Sequence, residues 1–301
     1  MNTLALKRRP ADMAAVMLIF ALSAPVLAVG GEDIDETVKM SGKGTVQVEN
    51  LAGSIEFSGW DRDEVQIRGE AGDDVEEVEI DSTSQGVQVR VRNARNQRSV
   101  DGTDLYLRIP KTANIEAEGV SADISVSGIS GKSIILNTVS GDLDIDAEPT
   151  RIELSSVSGE IELEGDIGRS SVESVSGDIT MNGPSGEVSV STVSGDLTLD
   201  AGKVSRGRFE SVSGEVSLSL ALEDGGRLTC DSMSGDVSLR LPASQEAEFS
   251  AQSYSGDIRT DFGKSIRTSK GPGTMLEHRA GDSGAQIRLE TFSGDISISS
   301  E

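Results

Sequence analysis

A six-residue pattern recurs along the chain and restricts it to folds that stack. It reads Thr138-Val139-Ser140-Gly141-Asp142-Leu143, then Ser156-Val157-Ser158-Gly159-Glu160-Ile161. Its apolar centre returns at Val175, Val193, Val212, Met233, Tyr254 and Phe292, and a weaker copy surrounds Val120, with Ala122 in the glycine position. Successive centres from Val120 to Tyr254 are 18 to 21 residues apart, and the last step of 38 spans about two repeats, with a degraded copy near Gly273 and Met275. Apolar residues alternate on both flanks, as in Ile134 and Leu136 before the centre and Leu143 and Ile145 after it. Period two marks strands with one buried face. Each repeat thus holds two short strands, joined at the Ser-Gly corner and at a second corner such as Ala147-Glu148-Pro149-Thr150 or Asn182-Gly183-Pro184.

One such unit cannot bury its apolar face, whereas a stack of them can. The pattern predicts an all-β fold, a flattened parallel β-solenoid with two strands per 18–21-residue rung and two parallel sheets. It leaves the handedness open. Composition agrees: there are only 6 Phe, 2 Tyr and 1 Trp in 301 residues, so Val, Ile and Leu must supply the core, and 34 glycines suit many tight turns.

The first 28 residues read differently. Lys7, Arg8 and Arg9 precede the apolar run Met13 to Leu22, and Val26-Leu27-Ala28 offers a cleavage site, the layout of a secretory signal peptide. The run is too short for a spanning helix, and nothing later is long and apolar enough, so no transmembrane segment is expected in the mature chain. The expected organisation is a signal peptide (1–28), a short flexible linker (29–37), an N-terminal β region and cap (38–119) and the repeats (120–301). Export is expected, to the periplasm or the cell surface. The formal net charge of −24 excludes a nucleic-acid binder, which needs a basic footprint. One cysteine, Cys230, rules out an intrachain disulfide.

The repeat columns reappear at Val46, Val48, Leu51, Ile55 and Phe57 around Gly53. The stretch from Trp60 to Pro110 still alternates but is less regular, as an irregular cap that hides an open sheet end would be. Gly53-Ser54-Ile55-Glu56-Phe57 followed by Gly59-Trp60-Asp61-Arg62-Asp63-Glu64-Val65, with Leu107-Arg108-Ile109-Pro110 and the Val-Ser-Gly-Asp ladder, resembles the bacterial putative-adhesin family of unknown function. The resemblance spans roughly Val38 to Glu301 and implies a β-repeat protein of the envelope or surface. It carries no catalytic residues.

The candidate sites are few. Asp142, Glu160, Asp178, Asp196, Glu215, Asp236 and Asp257 share one column with Asp123 and Asp295. Carboxylates ~4.8 Å apart repel by about 1 kcal/mol even at the dielectric of water, so something must offset them. A Ca²⁺ ladder would do so, and so would capping of corner amides. No other cofactor is indicated. Arg90, Arg92, Arg95 and Arg98 form the one basic cluster, which either pairs with the acidic Asp73 to Glu79 stretch or receives an acidic glycan or a protein. Trp60 either packs the cap or stacks on sugar. Cys230 falls in a core column, and His278 falls in the irregular stretch from Lys270 to Gly284. In the Ser-x-Ser-Gly-Asp motif, the apolar centre and glycine are assigned to the corner, leaving the acidic position open to function.

A non-enzymatic scaffold or adhesin-like interaction module follows, with an extracellular glycan or an envelope protein as partner. A polysaccharide-acting enzyme on a β-helix would need groove walls and cationic groups that 18–21-residue repeats scarcely provide. An envelope sensor or assembly factor stays open.

Overall fold

The computed structural model describes residues 26–28, 31, 33–94, 102–267, 273–282 and 284–300. The N-terminal part contributes β1 (Val26–Ala28), β2 (Asp33–Lys39), β3 (Thr45–Trp60), β4 (Glu64–Glu70), β5 (Val75–Thr83), β6 (Gly86–Asn93) and β7 (Thr103–Pro110). The 16-residue β3 organises them. Its first half pairs in parallel with β6 and its second half with β7. Antiparallel neighbours then cover the outer edges: β5 on β6, β4 on β7, β2 on β4 and β1 on β5. This part of the chain closes the stack as a mixed sheet. Of the predicted leader, only Val26–Ala28 lies within the described residues.

The repeats form β8 (Asn114–Ile129), β9 (Ser133–Asn137), β10 (Leu143–Ala147), β11 (Arg151–Ser156), β12 (Ile161–Glu164), β13 (Arg169–Ser174), β14 (Ile179–Asn182), β15 (Gly186–Ser194) and β16 (Leu197–Ser213). All pair in parallel and in register, as in Leu143↔Ile161↔Ile179↔Leu197 on one side and Leu154↔Val172↔Val190↔Phe209 on the other. The expected flattened solenoid of two separate sheets does not hold. Strand β8 pairs with β9 through its first half and with β10 through its second, and β16 pairs with both β14 and β15. Pairing therefore runs β8–β9–β11–β13–β15–β16–β14–β12–β10 and returns to β8, a closed nine-strand parallel barrel.

Corner chemistry explains the closure. Two repeats carry proline at the second corner, Pro149 and Pro184, and proline has no N–H to give to the ladder. In β16 that corner is Ala201-Gly202-Lys203, and the strand runs on through it. Strand β8 likewise continues through the first corner at Ala122, as β3 does at Gly53.

The flanking strands are β17 (Val216–Ser234), β18 (Val237–Leu241), β19 (Ala247–Ser253), β20 (Ile258–Thr260), β21 (Ile266–Arg267), β22 (Thr274–Ala280), β23 (Gln286–Ser293) and β24 (Ile296–Ser300). Here the sequence order and the spatial order part. Strands β23 and β24 lie on β17 and β18, and β19 and β20 lie outside them. The last repeat is thus inserted between the two that precede it. The degraded repeat near Met275 becomes β22, which runs antiparallel along β19 and covers its edge.

Inward residues from Ile34 to Ile298 form one continuous core. Cys230 sits fully inside it, and burial pushes its thiol up to about 12. The glycine column permits the stack to close up. A Cβ on Gly159 would lie 1.9 Å from the carbonyl oxygen of Gly141, and one on Gly177 would lie 1.9 Å from that of Gly159. Gly168, by contrast, would meet only Thr150 O, at 3.7 Å. We expect Gly159→Ala to destabilise by about 3 kcal/mol, the upper end for overpacking, and Gly168→Ala to stay within about 0.5 kcal/mol of wild type. Equilibrium urea unfolding of the two variants checks the contrast.

Candidate functional site

In the corners from Thr138 to Gly177, each residue of the Ser-x-Ser-Gly-Asp motif has a visible task except one. The first hydroxyl is buried and accepts the N–H of the motif glycine: Gly141 N to Thr138 Oγ1 at 3.1 Å, Gly159 N to Ser156 Oγ at 2.9 Å, Gly177 N to Ser174 Oγ at 3.1 Å. The second serine donates to the carbonyl of the apolar residue one level away: Ser140 to Val120 O, Ser158 to Val139 O and Ser176 to Val157 O, at 3.1 to 3.2 Å. From Gly195 onward the corner changes form. Gly195, Gly214, Gly235 and Gly294 take positive φ, and Thr192, Ser211 and Ser232 leave their buried hydroxyl oxygens unpartnered.

The acidic column caps the stack. Asp123 Oδ1 accepts from Asp142 N, Asp142 from Glu160 N, Asp178 from Asp196 N, and Asp196 from Glu215 N, at 2.7 to 3.0 Å. Asp236 does the same for Asp295, and Asp295 for Asp257. Among the described residues, Glu160 and Glu215 do not make this contact, and Glu215 Oε1 instead accepts from Ser217 Oγ at 3.3 Å. No group of three or more His, Cys, Asp or Glu gathers as metal ligands among the described residues.

The apolar centre is the exception, and it faces water. Leu51, Val120, Val139, Val157, Val175, Val193, Val212, Met233, Phe292 and Tyr254 stand in spatial order on successive levels, each 40 to 64% exposed. With neighbouring levels ~4.8 Å apart, they make a stripe roughly 40 Å long. Serines flank it on one side, and the carboxylates follow beyond the glycine.

At its far end the stripe turns aromatic, with the rings of Phe292 and Tyr254 6.0 Å apart. Beside them lies an open groove of about 1100 Å³ over β17, β23, β19 and β22. Its floor carries Asp231, Arg288 and Glu290, and its wall carries Glu248, Glu277 and Arg279. Arg288 pairs with Glu290 at 2.6 Å and Arg279 with Glu248 at 3.6 Å. Burial, then the charge of Glu290, raises the carboxyl of Asp231. His278, expected in a loop, belongs to β22, with its ring 6.3 Å from Phe249.

The basic cluster lies elsewhere. Arg90 Nε meets Glu49 at 3.0 Å and Arg90 Nη1 meets Glu79 at 3.2 Å, while Arg92 reaches Glu79 at 2.7 Å. Glu49's hydrogen bond raises Arg90, and Arg92's holds the Glu79 carboxyl below its usual value. Arg95 and Arg98 lie outside the described residues. Trp60 donates from Nε1 to Glu64 O at 2.8 Å, and Arg62 lies over its ring at 4.9 Å, so the ring already has a cation on it. The exposed stripe and the groove were not singled out from the sequence. The signal was present, since the centre stays apolar in every repeat between two polar neighbours.

The capping geometry has a direct consequence. Asp178→Ala removes the acceptor for Asp196 N and should cost about 1 kcal/mol, whereas Asp178→Asn keeps an oxygen there and should cost less than half as much. Thermal unfolding of both variants measures the difference.

The Toastrack DUF4097 family matches residues 31–208 and again 77–299. Among solved structures, a putative lipid binding protein from Parabacteroides distasonis ATCC 8503 aligns at 12% identity and a TM-score of 0.47, covering 89% of this chain and 97% of its own. A putative adhesin from Bacteroides fragilis NCTC 9343 aligns at 10% identity and a TM-score of 0.42 over the same shares, and one from Parabacteroides distasonis ATCC 8503 at 9% and 0.33, over 90% and 99%. No curated protein matches the chain. With the family match running over most of its length, the chain belongs to the Toastrack DUF4097 family.

Proposed function

We propose that this protein is an exported, non-enzymatic, adhesin-like interaction module of the cell envelope, and that the apolar stripe is its contact surface. One observation carries the reading. In a motif whose other positions hold the corners from Thr138 to Gly177 together, the apolar residue is exposed on every level from Leu51 to Tyr254. A valine side chain gains about 1.5 kcal/mol on full burial. Half-exposed levels each leave roughly half of that unused, so several levels covered together offer a partner a few kcal/mol before association costs. Contiguous exposed apolar surface of this kind marks interaction sites.

A straight stripe over stacked levels suits an extended partner, either an extracellular glycan chain or an elongated envelope protein. The carboxylate column alongside favours partners with cationic or neutral flanks. Export to the periplasm or surface is supported by the leader-like N-terminus, and among the described residues no helix is long and apolar enough to cross a membrane.

The triple variant Val157→Thr, Val175→Thr, Val193→Thr keeps β-branched shape and removes apolar surface. On an array of matrix proteins and glycans, wild type should bind at least one extended ligand, and the triple variant should bind it about tenfold more weakly with an unchanged melting temperature. Equal binding by the variant, or no binding by wild type, contradicts the proposal.

A further inference from the structure

We infer that the groove at the far end of the stripe is a separate binding site for a short neutral oligosaccharide. Three features of its lining converge on that chemistry. The first is the aromatic pair. The chain has few aromatic rings, and Phe57, Phe209 and Phe249 are buried. Phe292 and Tyr254 instead stand exposed at the groove's rim, 6.0 Å apart and inclined by 30°. The two tilted rings offer exposed apolar faces to the C–H face of a sugar ring, and the tyrosine hydroxyl adds a polar handle.

The second feature is the state of the charges. Arg288 is already paired with Glu290, and Arg279 with Glu248. A charged ligand drawn to Arg288 or Arg279 would have to break one of these pairs, while Arg227, the third arginine of the lining, is hydrogen-bonded to Gln286. A hydroxyl can instead donate to a spare carboxylate lone pair and accept from a spare guanidinium N–H while both pairs stay intact. Asp231, half-buried on the groove floor opposite Glu290 in the strand register, adds another acceptor. Its raised proton affinity shows how poorly the floor would receive a further negative charge.

The third feature is size and sign. About 1100 Å³ exceeds the usual space of a single small ligand, so a chain of a few sugar rings fits better than one. Among the groove's lining residues Asp231, Glu248, Glu277 and Glu290 outnumber Arg227, Arg279 and Arg288, and the whole chain carries −24. That field opposes sialylated, sulfated or uronate-rich chains. A purely apolar ligand would strand the charged floor without water or partners.

The site is distinct from the valine part of the stripe, and the inference stands if the contact-surface reading fails. The test uses the exported chain, residues 29–301, on an array carrying neutral and anionic oligosaccharides, followed by calorimetric titration with the strongest neutral compound. Phe292→Ala and Tyr254→Ala should each weaken binding by about tenfold, Phe292→Tyr should retain it, and the Val157/Val175/Val193→Thr variant should bind as wild type does. Arg288→Ala should also weaken binding, with the melting temperature showing that the fold persists. The inference is overturned if no neutral oligosaccharide binds, if only anionic ones do, or if Phe292→Ala binds as tightly as wild type. Loss on the valine variant alone would assign the ligand to the stripe and overturn the groove.

Discussion

The close approach of each corner glycine to the carbonyl of the level beside it underlies the rest of the structure. With a Cβ at Gly159 the approach would be 1.9 Å, so no other residue permits it without moving backbone. Once the corners close up, other contacts follow from distance alone. The serine after the apolar centre reaches the neighbouring carbonyl, and the aspartate reaches the next amide. Like charges ~4.8 Å apart cost about 1 kcal/mol near water, and a hydrogen bond to a charged acceptor returns about 1.5–3 kcal/mol. The repulsion along the column is therefore offset at Asp123, Asp142, Asp178, Asp196, Asp236 and Asp295, each of which holds a backbone amide.

The same corner turns the apolar centre outward. Strand alternation sends the residues three before and four after it, such as Leu154 and Ile161, into the core. Val157, on the apex between them, has no inward direction left. The result is an edge that repeats its chemistry from level to level until Met233, Phe292 and Tyr254 change it. There the stripe ends in rings, and the sheet face beside it becomes a groove of paired charges. One corner geometry thus produces a uniform surface along the middle and a distinctive one at the end.

Much of this was legible in the sequence. The repeat length, the two strands per repeat, the inward columns and Cys230's place beside Leu154 and Val190 all appear in the alternation. The closed pairing was not. It depends on whether a strand continues through a corner, as β8 does at Ala122 and β16 at Ala201, local details inside an otherwise uniform pattern. The placement of the last repeat was also hidden. The 38-residue step to Phe292 reads as two repeats in sequence, but β22 runs antiparallel, and β23 slides between β17 and β19. Long-range insertion leaves no periodic trace. The outward direction of the apolar centre was hidden for a related reason, since periodicity fixes which residues share a face and gives no direction at a bend.

Outward orientation of the centre is the claim on which the functional reading rests, and thiol labelling tests it most directly. In a Cys230→Ser background, cysteines placed singly at Val172 and Val175 sit three residues apart on the same level, one buried at 1% exposure and one open at 46%. The structure predicts that Val175→Cys reacts with a thiol reagent under native conditions nearly as fast as an unfolded chain, while Val172→Cys reacts only on unfolding. Protection at 175, or equal rates at the two positions, would contradict it.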